Sequence, residues 1–104
     1  MRIVIDLQGA QSESRFRGIG RYSLSLAQAI ARNAGEHEIW LALNARLPES
    51  IADIRAAFAG LVPERRIRLF DVPTSRQSTP WVIQSAQVIR ERFLETLQPD
   101  VVLI

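Results

Sequence analysis

The order Ile3-Val4-Ile5-Asp6-Leu7, a polar interval, then Ser14-Arg15-Phe16-Arg17-Gly18-Ile19-Gly20-Arg21-Tyr22 decides how this chain is read. The first run is short, β-branched and continuous rather than alternating, the pattern of a strand over residues 2–7 buried on both faces of a parallel sheet. Residues 8–18 are polar and contain Gly, so they read as a loop. It is longer than the usual strand-to-helix connection of about 2–6 residues, and loops of that kind tend to carry function. A helical pattern follows from Gly20 to Asn33. A Gly- and Arg-bearing loop between a buried strand and a helix is where nucleotide-binding sheets hold phosphate, because the helix start offers unpaired N–H groups and partial positive charge.

Working outward, the remaining elements alternate. Tyr22, Leu26, Ala29, Ile30 and Asn33 predict the buried face of the first helix, with Ala27 and Ala31 beside them and Gly35 suited to a left-handed stop. Ile39-Trp40-Leu41-Ala42-Leu43 predicts a second buried strand ended by Asn44. Pro48 to Gly60 predicts a helix with Pro in its first turn, packing Ile51, Ile54, Ala57, Phe58 and Leu61. Residues 67–72 predict a third strand, less apolar and so nearer a sheet edge. Residues 73–79 are a polar loop in which Thr79 suits an N-cap and Pro80 the first helical position. The helix that follows runs to about Leu97, with Val82, Ile83, Ala86, Ile89, Phe93 and Leu97 on its apolar face. Val101 to Ile104 opens a fourth strand.

This β-α-β-α-β-α-β order predicts an α/β fold: a Rossmann-like three-layer sandwich with a parallel sheet in the order 3-2-1-4. Four consecutive apolar residues suit a central strand, so the chain reads as part of a larger sheet. A bare edge of that kind is expected to self-associate through residues 101–104.

The chain has 104 residues, enough for one domain. It is 47% hydrophobic and 23% charged, an ordinary globular composition. It contains no Cys and one His, His37, which leaves neither a disulfide framework nor a His- or Cys-based metal site to expect. All 13 basic residues are Arg, which inflates the isoelectric point, yet the net charge is only +2. Nucleic-acid binding wants a concentrated basic face, and none is legible here.

Gly18 and Gly20 read as points of close ligand approach rather than mere turn formers. Arg21 stands beside the positive end of a helix dipole, an unfavourable place unless it meets an anion, and Arg17 and Arg15 follow the same logic. Asp6, at the ligand-side end of its strand, can face a ligand or accept backbone N–H bonds, and the structural role is favoured. Tyr22 and Trp40 read as core. Trp81 can cover the sheet or face the cleft. His37, Arg65, Arg66 and Arg68 read as solvated. A dinucleotide site fits poorly: the third Gly of that fingerprint is missing, and Asn44 stands where a ribose-binding carboxylate would be.

Met1-Arg2-Ile3-Val4-Ile5-Asp6 with Gly18-Ile19-Gly20-Arg21-Tyr22 resembles the amino terminus of family 4 glycosyltransferases, most of all bacterial mannosyltransferase-like members. Pro99-Asp100-Val101-Val102 is similar to the segment opening their fourth strand. The resemblance implies a GT-B architecture, two Rossmann-like domains facing one another. Residues 1–104 would then be a partial amino-terminal, acceptor-side domain, with the carboxy-terminal donor-binding domain absent. It implies no cofactor; a nucleotide-sugar donor such as GDP-mannose and a growing glycan, such as a cell-surface polysaccharide, would be substrates of the full-length enzyme. It also implies a cytoplasmic protein with peripheral contact at the inner membrane face. Gly18, Gly20, Arg21 and Arg17 would bind substrate, with Asp6, Arg15 and Tyr22 as further candidates; no catalytic residue is assigned.

Physical magnitudes agree that such a site would be incomplete. A helix start contributes roughly 0.3–1 kcal/mol toward an anion, whereas micromolar binding needs about 8 kcal/mol. The chain alone is therefore expected to be inactive, with residues 9–18 its least ordered part. The alternative from another class is a non-catalytic flavodoxin-like or receiver-like module, for which Asp6 and Asp71 would have to serve as the acidic site.

Overall fold

A computed structural model describes residues 1–11, 18–72 and 80–103. Its strands are β1 (Arg2–Asp6), β2 (Glu38–Asn44), β3 (Ile67–Phe70) and β4 (Val101–Leu103). Its helices are α1 (Gly18–Arg32), α2 (Pro48–Ala57) and α3 (Pro80–Thr96). All strand pairs are parallel and the order is β3-β2-β1-β4, as the alternation predicts. Among the described residues β3 and β4 form the two edges.

Side-chain parity divides the strands between two cores. Ile3, Ile5, Ile39, Leu41, Leu43 and Ile67 face α1 and α2, where Ala27, Ile51, Ile54 and Phe58 meet them. Val4, Ala42, Phe70 and the half-buried Val102 face α3 and its Leu94 and Leu97. Phe70 and Phe93 add a tilted ring contact at 5.5 Å. The stops are as expected where glycine is needed: Gly35 takes φ +59° and Gly60 φ +80°.

Three packing expectations are corrected. Tyr22 is 69% exposed and Leu26 is 47% exposed. The buried seam of α1 instead runs through Gly20 and Ala27, flanked by the half-buried Leu24, Ile30 and Ala31. At about 100° per residue, that seam lies roughly 140° around the helix from Tyr22. Small residues at its centre suit the close approach of α1 to the Gln8–Ala10 turn, and the larger Tyr22 and Leu26 are turned outward.

On α3, Ile83 and Ile89 are exposed rather than packed. They flank the stripe Ala86–Phe93–Leu97 by roughly 60° on either side, and among the described residues no second helix shares that face of the sheet. Trp40 is half-buried rather than core: the Arg2 guanidinium covers its ring at 4.7 Å, and its indole N–H donates to Glu38. The N-cap expected at Thr79 and the loop 73–79 lie outside the described residues, as do residues 12–17 of the loop expected to be least ordered. The start of that loop is well anchored: Gln8–Ala10 forms a 3-10 turn and Gln11 is buried.

Arg2 closes the amino-terminal end of the sheet. Its Nε donates to Glu38 at 3.0 Å, its Nη1 donates to the Leu97 carbonyl, and its backbone N–H donates to Asp100. The hydrogen bond from Arg2, then that from Trp40, holds the Glu38 carboxyl below the usual carboxylate range.

Two predictions follow from this packing. Ala27→Leu, which overfills the α1 seam, should cost about 1–3 kcal/mol in urea denaturation, whereas Tyr22→Ala should stay within about 0.5 kcal/mol. Because the folded state lowers the Glu38 pKa, its contribution is present above the ordinary glutamate value of about 4.3 and lost as pH falls through the lower folded value. Glu38→Gln should therefore be less stable than the parent at neutral pH, and the gap should narrow in thermal melts below that pH.

Candidate functional site

The end of β1 carries the chemistry. Asp6 stands at the carboxyl end of the strand, with its side chain 2% exposed. Its Oδ1 accepts the backbone N–H of Gln8 at 3.0 Å, the turn-stabilising role favoured from the sequence. Its Oδ2 lies 3.5 Å from the Nε of Arg90 on α3, and both atoms are buried without a hydrogen-bond partner. Arg90 was not legible as a site residue. The one available signal is its position in α3: it interrupts the apolar stripe between Ala86 and Leu94, where an unpaired charge would be costly.

The loop after β1 is held by a buried polar network. Gln11 Nε2 donates to the Asn44 carbonyl at 3.0 Å and to Ser50 Oγ at 3.2 Å, while its Oε1 accepts the Asn44 backbone N–H at 2.6 Å. The Asn44 side chain donates to the Val72 carbonyl at 3.1 Å and accepts from the Arg46 N–H at 3.0 Å. Asn44 is thus engaged with the segments that follow β2 and β3.

These elements border an open cleft of about 560 Å³. Asp6, Gln8 and Gly9 form its floor, Ser23, Leu26 and Ile30 of α1 one wall, and Arg90 and Leu103 the other. It lies at the carboxyl ends of β1 and β4. The strand order runs outward from β1 through β2 to β3 over α1 and α2 on one face, and α3 then carries the chain back across the other face to place β4 beside β1. Such a topological switch point is where open α/β sheets bind ligands.

Of the candidate site residues that are described, Asp6 alone lines this cleft. Gly18 and Gly20 lie in the first turn of α1, with Gly20 buried. Arg21 and Tyr22 are exposed on α1 and do not border it. Arg15 and Arg17 lie outside the described residues.

The sequence is similar to the serotype-specific mannosyltransferase WbdA of Escherichia coli. The two are 34% identical over 109 residues, an alignment that takes in all of this chain and 13% of that protein. This chain thus spans a small part of its relative's length. The similarity supports a relationship to glycosyltransferases. No family model matches the chain, and no solved structure matches it.

The sheet order also bears on the receiver-like alternative. In the flavodoxin-like order 2-1-3-4-5 the third strand lies beside the first. Here β2 separates them, and β1 instead pairs with β4. Asp71 is therefore far from Asp6 across the sheet, and it forms an ion pair with Arg46. The two carboxylates do not make one acidic site.

Gln11→Ala should leave the buried Asn44 backbone N–H and Ser50 side chain short of partners. Its expected cost is about 1–3 kcal/mol by chemical denaturation, with amide hydrogen exchange faster at Asn44 than at the amino-terminal end of β2.

Proposed function

We propose that this chain forms the amino-terminal, acceptor-side part of a family 4, GT-B glycosyltransferase that moves mannose from a nucleotide sugar such as GDP-mannose onto a growing cell-surface glycan. The observation that carries the proposal is the cleft at the β1–β4 switch point, in a chain whose whole length aligns with a mannosyltransferase. In this reading the cleft receives the acceptor, and the start of α1, with Gly18, Gly20, Arg21 and the loop residues Arg15 and Arg17, approaches the donor diphosphate. The loop would act by electrostatics on the charge of the leaving group. A second domain would supply most of the nucleotide-sugar site.

The exposed apolar edge of β4, with Val101 and Leu103 each 37% exposed, suits continuation of the sheet or pairing with another chain. Among the described residues no helix is long and apolar enough to cross a membrane. In this reading the protein works from the cytoplasm, meeting the inner membrane face peripherally where a lipid-borne acceptor would lie.

The test is transfer of labelled mannose from GDP-mannose to a lipid-linked oligosaccharide by the intact protein that carries this chain. Incorporation is expected there and none from residues 1–104 alone. Absence of transfer from any nucleotide sugar overturns the activity. Micromolar affinity of residues 1–104 for GDP-mannose in calorimetry, worth about 8 kcal/mol, overturns the division of the site.

A further inference from the structure

Among the described residues bordering the cleft, Arg90 is the one cation, and its guanidinium makes no hydrogen bond there. It carries five N–H donors, and among the described residues none makes a hydrogen bond; its sole polar contact is the approach of Nε to Asp6 Oδ2 at 3.5 Å. That edge of the guanidinium is shut from solvent. The side chain as a whole is 26% exposed and borders the cleft. Nε thus faces the buried carboxylate, while the side chain keeps some solvent access and, among the described residues, the terminal nitrogens have no acceptor.

We propose that Arg90 is a ligand-contacting residue that recognises the hydroxyl oxygens of a neutral saccharide, with Asp6 as the residue that positions it. This rests on the glycosyltransferase reading and deepens it by naming the group that meets the acceptor. Charge decides between ligand classes. An isolated guanidinium in a cleft selects phosphate or carboxylate. Here a carboxylate almost wholly out of water stands against the same group, so the pair is neutral as a unit. A second anion would be drawn to Arg90 but repelled by Asp6 across a short, poorly solvated gap. Neutral hydroxyls accept from the terminal nitrogens without that repulsion. The remaining lining suits them as well: Leu26, Ile30 and Leu103 offer apolar surface to the C–H faces of a sugar ring.

Asp6 is suited to positioning because its two oxygens are divided between tasks. Oδ1 is fixed by the Gln8 N–H, which sets the carboxylate plane and leaves Oδ2 toward α3. Asp6→Asn keeps an oxygen for Gln8 and removes the charge facing Arg90.

The test is nitrogen-15 NMR on the 104-residue chain, following the Arg90 Nε–Hε signal during separate titrations with methyl α-mannoside and inorganic phosphate. The mannoside should shift the signal saturably in the parent protein, and phosphate should not. Asp6→Asn should weaken the mannoside about tenfold, as loss of one charge-assisted contact would, and should bring out phosphate binding. A merely structural role for Asp6 would not exchange one ligand class for the other. Saturable binding of phosphate but not mannoside by the parent overturns the inference, and so does a signal that neither ligand moves. These parent titrations stand even if the variant fails to fold. Saturable mannoside binding without mannose transfer by the intact protein supports this inference and overturns the activity; transfer by Arg90→Gln with unchanged acceptor KM does the reverse.

Discussion

The exchange of hydrogen bonds between Gln11 and Asn44 is the constraint on which the ligand-side rim depends. A loop leaving a parallel strand has no ladder to follow, and its polar backbone must be satisfied elsewhere. Here the Gln11 amide acts like a short strand segment, donating to the Asn44 carbonyl and accepting from its N–H. Asn44 passes the connection on to the Val72 carbonyl. One buried chain of amides thereby ties the ends of β1, β2 and β3 into a common rim. Because each member is paired, the network stiffens the rim; a half-satisfied one would weaken it.

That rim explains why the floor of the cleft is well defined. The 3-10 turn over Gln8–Ala10 is held at one end by Asp6 Oδ1 and at the other by Gln11, so the residues bordering the cleft inherit the rigidity of the sheet. Groups built on such elements are held more exactly than groups on free loops. Arg90 comes from the layer opposite α1, and its approach to Asp6 ties α3 to the end of β1.

The strand order was legible because continuous apolar runs and regular alternation leave few topologies open. Ile3 to Ile5 and Ile39 to Leu43 carry that signal, and the helix containing Ile51, Ile54 and Phe58 packs as its spacing predicts. The orientation of α1 was not legible. Tyr22, Leu26 and Ile30 make a good stripe on paper, but periodicity counts apolar residues and takes no account of how closely a helix must approach. Gly20 and Ala27 win the sheet-facing side because they are small. Asp6 was found from its place at a strand end, together with its structural hydrogen bond. Arg90 was missed because its meaning depends on a carboxylate 84 positions earlier in the chain, a juxtaposition that only the crossover of α3 creates. Gln11 left no signal, since a polar residue in a polar loop looks solvated until its partners are seen.

The sheet is electrostatically lopsided, and this sets how the protein can change. At the amino-terminal end, Arg2 is well engaged: Glu38, the Leu97 carbonyl and the Trp40 ring meet its guanidinium, and Asp100 accepts its backbone N–H. At the other end Arg90 has donors that find no acceptor among the described residues. The four residue steps from Arg2 to Asp6 put roughly 13 Å between these ends, beyond the Debye length of about 8 Å at physiological salt. Substitutions at the two ends should therefore combine additively. The closed end can gain or lose stability while the open end changes its ligand, so one side of the sheet can absorb the cost of variation on the other.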